Sequence, residues 1–527
     1  MASLGSAVPG YAAEDLRVSF GPLQATIPIA SIETYVQDGT IDSELAPYAR
    51  YFDDEQLADI RELLGTPIEV DWVAMANFLY TDPGELLLKR VGTVIRTRKQ
   101  NGYLALRAAI VLAASSGDGL IPLEVLKHFP TNSLVVDAEE GLSIAREAEQ
   151  ILTRSADAIA LIRAQFEADL AESPPSPLPI APWTAPAPYN WAEVNSALPL
   201  QRRAFPLKIY LPERDDPASI VVISHGLGSN IESYRYLADY LASHGFAVVV
   251  PEHQGSNANH IDALLTGRED QVAQPDEFVN RALDITVILD ELEHLARTEP
   301  QLLNRFDFEQ IGVIGQSFGG YTALALAGAT FQFEHLASRC PSPNSSDPVM
   351  GDRSFNLSLI LQCRALDLQV HPVFRNNNAL RDERVDAVIA INPIGSAIFG
   401  AEGFEQIDIP VMIMTGSADV VAPMLWEQLY PFSWLQTTDK FLLMMRFGTH
   451  FSTIGSTEND IVLPEAILGP VPNVAQQYVE AMSLAFFQTY IGDRSTAHQL
   501  SPTYVNHISQ DRMPLSLIRQ FDLEQLD

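Results

Sequence analysis

The stretch Ile311-Gly-Val-Ile-Gly-Gln-Ser-Phe-Gly-Gly320 constrains this chain more than any other. A short β-branched run ends in Gly-x-Ser-x-Gly and passes at once into the helix-forming Tyr321-Thr-Ala-Leu-Ala-Leu-Ala. That order predicts a strand, a sharp turn and a helix, with Ser317 raised at the turn as a nucleophile elbow. Side chains at Gly315 or Gly319 would strike the neighbouring strand and helix, so both glycines have a mechanical reason. The turn belongs at the carboxyl edge of a mainly parallel sheet, where sites in such folds lie.

A serine hydroxyl is too weak an acid to attack a carbonyl unaided, so Ser317 requires a base and an orienting acid. Two later strands supply candidates in the order serine, acid, histidine. Val411-Met-Ile-Met-Thr-Gly runs into a loop bearing Asp419, and Phe441-Leu-Leu-Met-Met runs into a Gly-Thr-His450-Phe-Ser turn. An oxyanion hole needs two backbone amides. The Phe318 amide follows the nucleophile, and the Leu227 amide lies in the His225-Gly226-Leu227-Gly228 loop after the strand Ser219–Ser224. His225 is expected to support that loop rather than to act on substrate. Glu252, His253 and His260 sit close in sequence, but their spacing matches no zinc motif, and no metal is expected. No lysine follows Gly315–Gly320, so that turn is not a phosphate loop, and no cofactor is expected.

Around these motifs the 527-residue chain divides in composition. Residues 1–171 read as a mostly helical domain, with apolar stripes over Ser43–Leu64, Val73–Leu79, Pro83–Arg96, Gly102–Ala113 and Ala138–Leu170. Residues 172–189 are dense in proline and read as a semi-rigid linker. Residues 190–493 alternate short β-branched runs with helical stretches, the pattern of an α/β domain with a mainly parallel sheet. Strands are expected at Ala204–Leu211, Ser219–Ser224, Ala247–Pro251, Gly312–Gly315, Ala387–Asn392, Val411–Thr415 and Phe441–Met445. Residues 494–527 form a partly apolar tail expected to pack back. An excursion at 331–384, after the nucleophile helix, reads as a lid and holds both cysteines, Cys340 and Cys363, a candidate disulfide pair. Leu227, Phe318, Ile394, Phe399 and Phe451 could line an acyl pocket or equally fill core.

The net charge of -34, from 67 acidic and 33 basic side chains, disfavours nucleic acid as a partner. No apolar run is long enough for a transmembrane segment. The start lacks the basic and apolar regions of an intact signal peptide. Its Tyr11-Ala-Ala-Glu14 resembles the flank of a cleavage site. With the paired cysteines, this favours export to the periplasm or medium over a cytosolic enzyme with free thiols.

The stretch Ser224-His-Gly-Leu-Gly-Ser-Asn-Ile-Glu-Ser-Tyr, its continuation to Val250-Pro-Glu-His253, and Gly-Gln-Ser-Phe-Gly-Gly together resemble one family. It is the bacterial group of predicted dienelactone hydrolases, relatives of the platelet-activating-factor acetylhydrolases within the α/β-hydrolase superfamily. The resemblance covers roughly Ala204 to Tyr490. It implies an α/β-hydrolase fold with Ser317 as nucleophile, Asp419 as acid, His450 as base, and the Leu227 and Phe318 amides as oxyanion donors. True dienelactone hydrolases use cysteine where this chain has Ser317, so the label does not carry the substrate. The first domain resembles a helical domain of unassigned function that precedes such hydrolases in cyanobacterial proteins. The expected function is a serine carboxylesterase or lipase acting on small or lipidic esters through an acyl-enzyme. The alternatives are a polyester or phospholipid acyl hydrolase, a peptidase, or a binding protein on this fold.

Overall fold

The computed structural model describes residues 12–69, 71–115, 119–173, 187–200, 203–340, 356–376, 380–455, 468–492 and 496–526. Most of the proline-rich stretch, the middle of the 331–384 excursion and residues 456–467 lie outside them. The chain forms two compact units. One comprises residues 1–150 with 262–272 and 343–349; the other comprises 151–261, 273–342 and 350–527.

The smaller unit is helical around a sheet that its helical spacing does not announce. β1 (Asp15–Phe20) and β2 (Leu23–Pro28) form a hairpin across Gly21-Pro22, with Gly21 at φ 54°. β4 (Ser133–Asp137) pairs parallel to β1, and β3 (Ile95–Arg96) pairs antiparallel to β4. The expected Ser43–Leu64 helix is instead a short turn, Ala46–Ala49, and a longer helix, Asp54–Gly65. Asp53 starts the latter with a capping box: its carboxylate accepts the Gln56 amide while the Gln56 side chain accepts the Asp53 amide. Leu79, Leu88, Leu106, Ala109, Phe129 and Leu134 make this unit's core.

The larger unit is built on a nine-stranded sheet. Its strands are β5 (Trp191–Leu200), β6 (Arg203–Pro212), β7 (Ala218–Ser224), β8 (Ala247–Pro251), β9 (Phe306–Gln316), β10 (Val385–Ile391), β11 (Val411–Gly416), β12 (Lys440–Met445) and β13 (Leu515–Ile518). The spatial order is β13-β12-β11-β10-β9-β7-β8-β6-β5. The six strands from β8 to β12 in this order run parallel, and β6, β5 and β13 add antiparallel edges. Central strands of parallel sheets are covered on both faces, and β7, β8, β11 and nearly all of β12 are buried along their length. Helices Arg235–Ser243, Glu277–Thr298, Phe318–Leu326 and Pro472–Tyr490 wrap the sheet with buried apolar stripes. All seven expected strands are present; β5 and β13 are additional. Among the described residues, no helix is long and apolar enough to cross a membrane.

Cys340 and Cys363 are joined in a disulfide, with their Cα atoms 5.6 Å apart. Closing a loop of this size removes unfolded-chain freedom equivalent to roughly 3 kcal/mol. The bridge ties the end of helix Phe333–Arg339 to the end of helix Leu357–Cys363.

Candidate active site

Ser317 stands between β9 and helix Phe318–Leu326 at φ 54°, ψ −114°, a conformation that L residues rarely hold. Its surroundings enforce it. The Ser317 amide donates to Ile391 O at 2.8 Å, while the Ser317 carbonyl accepts from the Tyr321 amide in the first helical turn. A methyl group on Gly315 would lie 2.1 Å from Gly319 O, and one on Gly319 would lie 1.9 Å from Ser224 O. Those distances are backbone against backbone, so no side-chain movement could relieve them.

The end of β11 delivers Asp419 and the end of β12 delivers His450. Both side chains are buried, and the ring and carboxylate meet: His450 Nδ1 lies 2.7 Å from Asp419 Oδ2. On the other side, His450 Nε2 lies 2.9 Å from Ser317 Oγ. A carboxylate can only accept, so the ring proton belongs on Nδ1, and the Nε2 lone pair faces the serine hydroxyl. Asp419 Oδ1 accepts from the Val421 and Ala422 amides, each at 2.8 Å, so the carboxylate is held at both oxygens. Ser317, Asp419 and His450 are thus brought into one relay, in the expected order.

Neutral amides fix this relay from behind. Gln316 Nε2 donates to His450 O at 3.0 Å, and Asn392 Nδ2 donates to Thr449 O at 3.1 Å. Asn392 Oδ1 accepts from the Gly416 amide at 2.9 Å, and the Asn392 amide donates to Met414 O. Asn392, at φ 41°, therefore joins the ends of β10, β11 and β12. Sequence reasoning took it as the last residue of a strand; an asparagine there, where a strand meets a turn, was the available signal.

The loop proposed to supply the second oxyanion donor is pinned on every side. Arg281 donates to His225 O, and Gly228 N donates to Ser256 O at 2.8 Å. His225 Nε2 accepts from the His253 amide at 3.0 Å, which puts the His225 proton on Nδ1, where it donates to Gly226 O at 2.8 Å. Both ring nitrogens are thus engaged, and the imidazole braces the loop. Glu252 accepts from Ile231 N and Asn257 Nδ2, both at 2.7 Å, and Asn257 Oδ1 accepts from the His260 amide. His253 Nε2 lies 2.9 Å from Ser224 Oγ. Burial and the Arg281 charge hold His225 down to about 3 and His253 well below the usual histidine range. The Phe318 amide, at the first residue of its helix, has no intrahelical acceptor. Gly226 and Gly319 bring the two stretches together: a methyl on Gly226 would meet Gln316 Oε1 at 2.3 Å.

Of the candidate pocket residues, Phe318, Ile394 and Phe399 are buried, and Phe399 stacks on Tyr321 at 5.1 Å. They are core. Leu227 and Phe451 are half-buried. Beyond Asp419, Leu425–Leu429 continues as helix Tyr430–Trp434 and presents Glu427 to the start of helix Ser396–Phe404. Glu427 Oε2 accepts from the Gly395 and Ser396 amides at 3.0 and 3.1 Å. Its Oε1 accepts from Gln362 Nε2 at 2.8 Å and from Asn356 Nδ2. Gln362 Oε1 in turn accepts from the Ala397 amide, and the Ser358 amide donates to Val421 O in the Asp419 loop. The disulfide-bonded helix is so tied to the loop carrying the acid.

Two family models match the chain. Residues 12–137 match an alpha/beta hydrolase of unknown function (DUF1400), and residues 215–430 match serine aminopeptidase, S33. A platelet-activating factor acetylhydrolase of Canis lupus familiaris is 27% identical over 136 residues, covering 20% of this chain and 31% of that protein. The chain thus spans about a third of the length of the curated relative it matches.

Proposed function

We propose that this chain, which belongs to the α/β-hydrolase superfamily and is a hydrolase, cleaves carboxylic esters by serine acyl transfer. The observation that carries the reading is the Ser317–His450–Asp419 relay, with contacts of 2.9 and 2.7 Å in a single hydrogen-bonded line. His450 Nε2 takes the Ser317 proton as Oγ attacks the ester carbonyl carbon. The oxygen that becomes negative is received by the Leu227 and Phe318 amides. His450 then passes its proton to the departing alkoxide oxygen, leaving an acyl group on Ser317. Water repeats the sequence, giving the acid and restoring the enzyme. Asp419 keeps the ring in the working tautomer and stabilises its cation.

Esters of small or lipidic acids are the proposed substrates. Polyester and phospholipid acyl groups would be cleaved by the same residues with a different pocket. The match to serine aminopeptidase, S33, favours an amide substrate as a second reading. The Cys340–Cys363 bridge supports an oxidising compartment, and we place the enzyme outside the cytosol on that ground.

Hydrolysis of p-nitrophenyl esters from acetate to palmitate, beside p-nitroanilides and a Ser317→Ala control, tests the reading. Ester turnover that falls at least about 10⁴-fold in the control is expected. Turnover of anilides alone would replace the esterase reading with the peptidase one.

A further inference from the structure

Arg281 lies in the second turn of helix Glu277–Thr298, 36 residues before Ser317, and its side chain is completely buried. Its Nη2 donates to His225 O, while Nε and Nη1 have no hydrogen-bond partner among the described residues. The guanidinium lies over the ring of Phe318, 4.5 Å from its centroid, and Phe278 closes on the same ring at 4.7 Å. A buried cation that leaves two N–H groups unbonded is a poor stabiliser of a fold. Features that cost stability gather at sites where they serve something else.

We infer that Arg281 is the positioning residue that assembles the oxyanion hole, holding its two halves in register. It touches both: Phe318, whose amide is one donor, and the carbonyl of His225, two residues before the other donor. The inference rests on the serine-hydrolase reading above and deepens it.

The loop is arranged so that this grip is transmitted. His225, fixed by Arg281 at its carbonyl, turns its Nδ1 proton onto Gly226 O. Gly226 O belongs to the same peptide as the Leu227 N–H, so donation to that oxygen makes the Leu227 amide a stronger donor. The Ser229 amide adds a longer bond of 3.3 Å to the same oxygen. Neighbouring Glu252, Glu277 and Asp284 favour the charged guanidinium, and Glu277 is itself anchored by Ser256 Oγ at 2.8 Å. Burial lowers Arg281 only to about 10, so the cation persists at neutral pH.

The oxyanion exists only in the tetrahedral intermediate and the transition states flanking it, so the test compares esters with thionoesters, whose larger sulfur accepts hydrogen bonds weakly. Wild type is expected to favour the oxygen ester strongly. In Arg281→Gln, kcat on the ester should fall about 10²-fold with KM within about twofold, and the oxygen-over-sulfur preference should shrink by a similar factor. Fluorophosphonate titration taken to completion counts competent Ser317, which separates lost catalysis from lost fold. Should Arg281→Gln not fold, His225→Gln serves. It keeps an acceptor for the His253 amide but has no proton at the Nδ1 position, and the same collapse of preference is expected. An unchanged ester-to-thionoester ratio in a titratable variant overturns the inference. Wild type without Ser317-dependent ester turnover instead sinks the esterase reading beneath it.

Discussion

The two sides of the candidate site are held by different physics. The acid–base side is positioned by neutral groups: Gln316, Asn392, and the Val421 and Ala422 amides. The oxyanion side is positioned by buried ionisable groups: Arg281, Glu252, Glu277, and the neutral histidines 225 and 253. Neutral amides place atoms without adding a net charge, which would suit a histidine that changes charge in every cycle, as proposed for His450. A fixed cation beside the oxyanion loop adds a field where negative charge develops. The contrast teaches that one candidate site can keep its proton relay and its standing charge in separate scaffolds.

The comparison can be broken at its seam, where Gly319 touches Ser224 O. Gly319→Ala drives a methyl into that carbonyl and should cost about 3 kcal/mol or more, seen as a lowered denaturation midpoint with activity abolished. A stable, active Gly319→Ala enzyme would show that the halves are not in rigid register. Asn392→Ala probes the neutral side alone. It removes the bonds to Gly416 and Thr449, and kcat should fall about 10- to 100-fold, or about 1.4 to 2.7 kcal/mol, with the ester-to-thionoester ratio untouched. A changed ratio would mean that the two sides are not separable.

The smallest expected effect is in the acid dependence of stability. His225 and His253 have folded pKa values below the unfolded value near 6.5, so the unfolded chain binds more protons as pH falls. Their contribution is fully present above about 6.5 and is lost as pH drops toward the folded values. In His253→Gln, the loss of stability as pH falls below about 6.5 should become shallower, by at most about 1.4 kcal/mol per pH unit, one proton's worth. Urea unfolding across that range measures it, and an unaltered slope would locate the acid sensitivity elsewhere.

Legibility follows the same division. Ser317, Asp419 and His450 could be read because each closely follows a short apolar strand, where pattern and order carry the information. β5 is hard to read in the sequence because Pro199 interrupts its pattern beside a proline-rich stretch. The small sheet was hidden by stronger helical spacing around it, although Leu16, Val18 and Phe20 alternate as a strand should. Arg281 left no trace, because a lone arginine in an amphipathic helix reads as a solvated face. Its burial depends on Phe318 and His225, which are distant in sequence.

The segment after Asp419 also carries two tryptophans, Trp426 and Trp434, with the Tyr430 ring between them at 5.2 and 6.2 Å. Trp426 Nε1 is buried without a partner among the described residues, and its neighbour Glu427 binds Gln362 beside the disulfide. Indole emission reports the polarity and packing around the ring. This pair therefore gives the chain an internal optical gauge, in which a disturbance of the disulfide-bonded helix would register as a colour shift a few residues from Asp419.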